Sequence, residues 1–225
     1  MMPQPVKRLA LILAAMISGC ASYPRTMTSD CPNRVPPVPV NPQRVDFPVV
    51  SFIPPRGGNW CVMMHDEDRG AAYGKNQHAG VTYPSEPPLS ITRHTLMASL
   101  FIYPQGLVDW IKTPADLERF LKLSIRGQST STSHLQSLQI ERDPTYLDAV
   151  CFRHRYVRTG PGRGIGSLDF TEEVSGLVCQ QPNRPRIVGI SGSERYLTSD
   201  PPATKLADQF RTELDDFIGS VRFRP

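Results

Sequence analysis

The sequence predicts an α+β domain in which an antiparallel sheet packs against about two helices. Three observations lead to this class. Short β-rich runs with turn residues between them fill most of the chain after residue 48. Two other stretches repeat apolar residues at helical spacing. A composition with 39% hydrophobic and 20% charged residues fits a soluble globular protein, so we expect a single domain over residues 48–225.

The first part of this domain is predicted to consist mainly of strands. Residues 49–53 and 60–65 are expected to form an opening β-hairpin around a turn rich in proline and glycine. Further glycines and prolines predict a loop over residues 67–90, with one short strand at 80–83. Residues 91–103 carry apolar side chains on both faces, which is typical of a central strand.

A helix is predicted to follow this central strand. Thr113 is suited to the N-cap, Pro114 to the first helical position and Asp116 to the acid of a capping box. The apolar residues then fall on one helical face: Leu117, Phe120, Leu121 and Ile125.

The second part of the domain is predicted to be a run of antiparallel strands closed by a helix. Four strands are expected, at residues 135–141, 149–159, 167–179 and 186–196. Behind Asp200 and Pro201, apolar residues at helical spacing predict a second helix: Leu206, Phe210, Leu214, Phe217 and Ile218. Residues 220–223 are expected to form a last short strand.

The N-terminal residues have the features of a secretory signal. Lys7 and Arg8 precede an apolar run at residues 9–17, which is shorter than the ~20 residues that a membrane-spanning helix requires. The sequence that follows, Ile17, Ser18, Gly19 and Cys20, resembles the lipobox of bacterial lipoproteins at all four of its positions.

This resemblance implies a lipid anchor on Cys20. It implies that diacylglycerol is joined to the sulfur, that residues 1–19 are removed, and that an acyl chain such as palmitate is added to the new amino group. Two or three acyl chains hold a protein on a membrane, because each buried methylene contributes ~0.8 kcal/mol. With Ala21 rather than aspartate next, the resemblance implies an outer-membrane protein that faces the periplasm.

Residues 20–47 are predicted to be a proline-rich tether between the anchor and the domain. The alternative is that part of this segment packs along the domain surface. Removal of Lys7 and Arg8 with the leader lowers the formal charge from +4 to +2. A nearly neutral mature protein lacks the broad basic face of a nucleic-acid-binding protein, so we expect no nucleic-acid partner.

Four cysteines remain once Cys20 is lipidated, and export would place them where disulfides persist. Cys151 and Cys179 are the favoured pair, because antiparallel pairing around a turn centred on Ile165 sets them opposite each other. Cys31 and Cys61 would then staple the tether to the first core strand. Zinc is the competing interpretation, but the spacing contains no Cys-x-x-Cys.

The layout resembles the Mog1/PsbP-like fold over about residues 48–223. The shared features are an early strand with Trp60, a helix after the third strand, a meander, and a final helix that ends in a short motif at residues 218–223. The resemblance implies a binding or assembly accessory rather than an enzyme. We expect no cofactor.

The motifs for catalysis are incomplete. Residues 189–193 approach the Gly-x-Ser-x-Gly nucleophile elbow around Ser191, but Ser193 replaces the last glycine. The glycine-rich residues 160–166 lack the Lys-Ser/Thr of a phosphate-binding loop. An envelope hydrolase, with Ser191, a histidine and a carboxylate in one pocket, is the first alternative function.

Residues that could bind a metal occur around His65. The acidic residues 66–68 do not have the spacing of a calcium loop, so a solvated strand end is favoured. Met63, Met64 and Met97 are soft copper ligands but also common core residues. We expect no metal site. A periplasmic metal handler, in which Met63, His65 and Met97 converge, is the second alternative.

Four arginines could bind an anion on a basic stripe: Arg153, Arg155, Arg158 and Arg163. Arginine forks match phosphate and carboxylate oxygens, so the partner would be an anionic envelope polymer or the acidic patch of an envelope protein. The alternative, which is favoured, pairs these arginines with acidic residues across the hairpin: Asp169, Glu172 and Glu173.

Overall fold

The computed structural model describes residues 43–56, 60–76, 94–128, 133–146, 149–161, 169–181, 186–199 and 204–224. Within these ranges the chain forms ten strands and three helices. In chain order they are β1 (Val45–Asp46), β2 (Val50–Phe52), β3 (Cys61–Asp66), β4 (Gly70–Asn76), β5 (His94–Ile102), α1 (Gln105–Val108), α2 (Pro114–Gly127), β6 (His134–Asp143), β7 (Val150–Pro161), β8 (Asp169–Gln180), β9 (Ile187–Leu197), α3 (Thr204–Gly219) and β10 (Arg222–Phe223).

Two antiparallel sheets contain all of these strands. Seven strands form the main sheet in the order β3–β4–β5–β9–β8–β7–β6, and three short strands form a small sheet in the order β1–β2–β10. The predicted α+β class with an antiparallel sheet is confirmed. Both predicted helices are present, and α1 is an additional short helix that the sequence analysis missed.

The main sheet packs on both faces. Its first face carries side chains such as Leu100 and Ile190, which share one buried cluster with Phe52 of the small sheet and Phe217 of α3. Its second face packs against α2 over the strands β6 to β9. In antiparallel sheets directly paired residues point to the same face, so the register assigns every strand residue to one of these two faces.

Helix α2 begins as its sequence predicts. The Thr113 hydroxyl accepts a hydrogen bond from the Asp116 backbone N–H at 3.2 Å, and the Asp116 carboxylate accepts one from the Thr113 backbone N–H at 3.0 Å. This reciprocal pair is a capping box, which satisfies two backbone donors at the helix start. The apolar face is buried as predicted: Leu117, Phe120, Leu121 and Ile125.

Strands β7 and β8 have the predicted register. Cys151 lies directly opposite Cys179, and the two are disulfide-bonded. Both cysteines are fully buried, at 0% exposure. The predicted turn centre, Ile165, lies outside the described residues.

The opening hairpin predicted from residues 49–53 and 60–65 is wrong. Strand β2 pairs with β1 and β10 in the small sheet, whereas β3 pairs with β4.

The loop predicted over residues 67–90 is also wrong at Gly70–Asn76, which forms β4 inside the main sheet. This strand contains small residues that give no β-propensity signal. Gly70 has φ 122°, and a Cβ there would lie 1.9 Å from the Leu100 carbonyl oxygen, so the close approach to β5 requires glycine. The strand predicted at 80–83 lies outside the described residues.

The domain begins before the predicted boundary. Val45 and Asp46 pair with β2, and Phe47 is buried at 1% exposure. These three residues were predicted to belong to the tether.

The leader, Cys20 and Cys31 lie outside the described residues. Among the helices that are described, none has both the length and the apolar character needed to cross a membrane.

Candidate functional site

Strand β7 carries three of the four arginines predicted to bind an anion. Alternation along the strand places Arg153 and Arg155 on the first face with Cys151, and Arg158 on the second face with Tyr156. Arg163 lies outside the described residues. The three described arginines therefore do not share one surface.

Arg153 is engaged in an ion pair at the end of β6. Its Nη2 and Nε donate hydrogen bonds to the Asp143 Oδ2 at 2.8 and 3.2 Å. Burial raises the pKa of Asp143, but the hydrogen bonds from Thr145 and Arg153 outweigh it and hold that pKa below its usual value. Two nitrogen atoms of Arg153 are therefore already bonded to Asp143, which leaves this side chain less available to bind an anion.

Arg158 is paired across the hairpin. Its Nε donates a hydrogen bond to Glu172 Oε2 at 2.5 Å, and its Nη1 donates one to Gln128 Oε1 at 3.2 Å. Glu172 is one of the acidic partners that the favoured interpretation proposed. Glu173, another of the three proposed partners, faces the opposite way and accepts a hydrogen bond from the Tyr196 hydroxyl at 2.7 Å.

Arg155 has a different environment. It is exposed and, within the described residues, forms no hydrogen bond or ion pair. Its direct neighbours on the first face are Gln139 of β6 and Ser175 of β8. We call these three residues, together with the adjacent exposed Ser137, the Arg155 surface. An arginine fork whose direct cross-strand neighbours are uncharged is suited to bind a carboxylate or phosphate.

Gln139 and Ser175 were missed as site residues in the sequence. Their positions beside Arg155 follow from the register of three strands, and only the β7–β8 register could be read from the sequence. Asp143 was missed as a partner of Arg153 because it lies at the end of β6, outside the hairpin that was considered.

Ser191, the candidate nucleophile, lies in the middle of β9 on the second face. Its hydroxyl is 3.0 Å from the Ser99 hydroxyl, and the two are hydrogen-bonded. His154 points to the same face two strands away, with Gly176 between them. At ~4.8 Å per strand, the two backbones are about 10 Å apart.

His154 is not set up as a catalytic base. Burial, with a smaller contribution from the charge of Arg153, lowers its pKa to about 4. Its Nδ1 has no hydrogen-bond partner, so no carboxylate orients the ring. The described residues therefore do not form the Ser-His-acid arrangement of a hydrolase.

The residues proposed for a metal site are on opposite sides of the sheet. His65 packs against Phe47 on the first face, with ring centroids 5.1 Å apart. Met97 pairs with Gly74 and points to the second face. Met63, His65 and Met97 therefore do not converge on one metal ion. Within the described ranges, no three histidine, cysteine or acidic side chains are grouped as metal ligands.

A polar cleft of about 350 Å³ lies where β2 ends beside α3. It brings Arg56 close to Asp215 and Asp216 of the helix. The sequence did not predict this cleft, because its two sides are far apart along the chain.

The fold and these sites together define an antiparallel α+β domain with a buried disulfide and an exposed arginine among polar side chains. No family model matches the chain, and no curated protein matches it. Among solved structures, LpqN, involved in cell envelope biogenesis of Mycobacterium tuberculosis, is similar with a TM-score of 0.36 and 10% identity, covering 81% of this chain and 90% of LpqN.

A variant of the protein Mog1 is similar with a TM-score of 0.41 and 10% identity, covering 81% of this chain and 95% of Mog1. The α+β class is shown by the structure itself, and Mog1 gives the predicted Mog1/PsbP-like layout its name.

Proposed function

We propose that the protein is a lipid-anchored component of the bacterial cell envelope whose domain binds another envelope component without catalysis. The observation that carries this proposal is the buried disulfide between Cys151 of β7 and Cys179 of β8. Disulfides form and persist in oxidising compartments outside the cytosol. This agrees with the lipobox at Cys20 and with an outer-membrane protein that faces the periplasm.

The geometry of the polar residues supports binding rather than catalysis. The hydroxyl of Ser191 is bonded to Ser99, and His154 is buried with its pKa lowered to about 4. Arg155, in contrast, is exposed on a polar surface. We propose that this surface contacts an anionic envelope polymer or an acidic patch of an envelope protein.

The anchor is tested by mass spectrometry of the intact protein from native membranes, with thiol alkylation in the absence of reductant. The proposal requires an N-terminal peptide that begins at acylated Cys20, with no alkylation of Cys151 or Cys179. An unmodified Cys20, or free thiols at the other two positions, would contradict export as a lipoprotein.

The binding surface is tested with Arg155→Gln and with polyphosphate as an anionic probe. We expect the variant to bind polyphosphate several-fold more weakly, because one charge-assisted contact is lost. Arg126→Gln is the matched control, since Arg126 is an exposed arginine on α2. Equal affinities for both variants would show that Arg155 has no specific role.

A further inference from the structure

We propose that residues 21–42 bind across the second face of the main sheet over β3, β4 and β5, where a disulfide between Cys31 and Cys61 holds them. The occupied surface, here called the β3–β5 patch, consists of Cys61, Met64, Ala72, Gly74, Met97 and Ser99. This inference goes beyond the proposed function, because it assigns a docking surface to the segment between the anchor and the domain.

The strand register places the members of the patch on one face. Cys61 is opposite Gly74, which is opposite Met97. Met64 is opposite Ala72, which is opposite Ser99. Ser99 is in turn opposite Ser191, and this row continues to His154 below α2. The patch is therefore the part of the second face that lies between α2 and the β3 edge.

Four residues of the patch are buried, and Met64 and Met97 are half-buried. Cys61 and Ala72 are each 4% exposed, and Ser99 is 8% exposed. The buried cluster on the second face contains residues from α1, α2, their connection and β6 to β9, and none from the patch. The cluster on the first face also lacks the patch residues. The patch therefore lies outside the two packed clusters of the described residues, and Met64 and Met97 keep part of their surface accessible.

Cys61 links the patch to a particular part of the chain. It is disulfide-bonded, and Cys151 and Cys179 are bonded to each other. The only other cysteines of the chain are Cys20 and Cys31, and both precede residue 43. A covalent bond therefore joins the patch to the N-terminal segment. Cys31 is the partner because the proposed function assigns the Cys20 sulfur to the lipid.

The sequence of residues 21–42 suits this surface. Eleven residues lie between Cys31 and Gln43, and this stretch spans up to ~40 Å when extended, whereas three strands span only ~10 Å. Proline-rich chain favours the polyproline helix with three residues per turn, which places Val35 and Val38 on one side. Small residues in the patch, Ala72 and Gly74, let a backbone approach the sheet closely.

Oxidation footprinting of the full chain tests the docking. Met64 and Met97 lie half-buried in the patch and serve as natural probes for hydroxyl radicals. We expect their oxidation to increase several-fold in the double variant Cys31→Ser, Cys61→Ser. Val35→Ser with Val38→Ser should give an increase in the same direction while all disulfides are kept. Leu123, which is 53% exposed on α2, is the internal reference and should not change.

A non-reducing peptide map completes the test. A peptide that joins Cys31 to Cys61 supports the proposal, and one that joins Cys20 to Cys61 overturns it. Unchanged oxidation of Met64 and Met97 in both double variants also overturns it, because another segment would then cover the patch. Acylation of Cys20 is measured separately, so an unacylated protein with the Cys31–Cys61 bond would contradict the proposed function and leave the docking in place.

Discussion

The Lys75 ammonium lies 2.5 Å from Oε2 of Glu213 in the buried interface between β4 and α3. The two side chains are 3% and 9% exposed. The same oxygen accepts a hydrogen bond from the Trp60 Nε1–H at 2.7 Å, and the Lys75 ammonium is 4.8 Å from the centre of the Trp60 ring. One carboxylate thus connects the last helix to two segments of the main sheet.

Replacement of Lys75 by methionine should destabilise the protein by about 3–5 kcal/mol, because it leaves Glu213 as a buried charge without its cation. Denaturant unfolding measures this loss. Lys122→Met is the matched control, since Lys122 and Glu118 form an exposed pair on α2, and it should change the free energy of unfolding by less than about 1 kcal/mol. Similar changes in the free energy of unfolding for both variants would show that the buried pair contributes no more than the exposed pair.

His154 should make the protein sensitive to mild acid. Its pKa is lowered to about 4 in the folded state, whereas the unfolded chain takes up a proton near the ordinary value of 6.5. The contribution to stability is therefore complete above pH 6.5 and is lost as the pH falls towards 4, by about 3 kcal/mol.

The test compares the free energy of unfolding of the parent and His154→Phe between pH 7 and pH 4. The parent should lose stability more steeply, because the variant lacks this group. Asp143, whose pKa is also lowered, contributes to both proteins and cancels in the comparison. Parallel profiles would contradict the prediction.

Gly176 should not tolerate a side chain. A Cβ at this position would lie 2.2 Å from the Ile190 carbonyl oxygen and 2.8 Å from the Ser191 Cα, and both are backbone atoms that cannot move aside. Gly176→Ala should cost about 1–3 kcal/mol, measured by thermal or denaturant unfolding. Gly106→Ala is the control, because nothing lies within 4 Å of its Cβ. A neutral result at Gly176 would disprove this close packing of β8 on β9.

Loss of the Cys151–Cys179 disulfide should reduce stability by about 3–4 kcal/mol in the chain-entropy model, given its sequence separation of 28 residues. The variant Cys151→Ala, Cys179→Ala and the parent are compared in denaturant without reductant. An unchanged unfolding midpoint and slope would show that strand pairing alone fixes this hairpin.

Features determined by neighbouring residues could be predicted from the sequence. The start of α2 depends on Thr113 and Asp116, which are close in the chain, so the capping box was readable. The pairing of Cys151 with Cys179 follows from one hairpin. The class of fold was predictable for the same reason, because most strands of the main sheet pair with sequence neighbours.

Contacts between distant parts of the chain could not be predicted in this way. Ser51 of β2 pairs with Arg222 of β10, and no local pattern reports such a partner. Strand β4 was missed because its small residues have low β-propensity, and the strand forms through its buried position between β3 and β5. For the candidate site, alternation along β7 placed Arg153 and Arg155 on one face, but Asp143, the partner of Arg153, lies at the end of β6 and could not be identified from the hairpin.

The small sheet sets how the protein responds to mechanical load. Strands β1 and β10 flank β2 and both run antiparallel to it, so residues 43 and 224 lie at opposite ends of the small sheet. Each of these pairings involves only two residue pairs. A force applied between residues 43 and 224 would first open these short pairings. The seven-stranded sheet, with its disulfide between β7 and β8, would remain intact until the small sheet had separated.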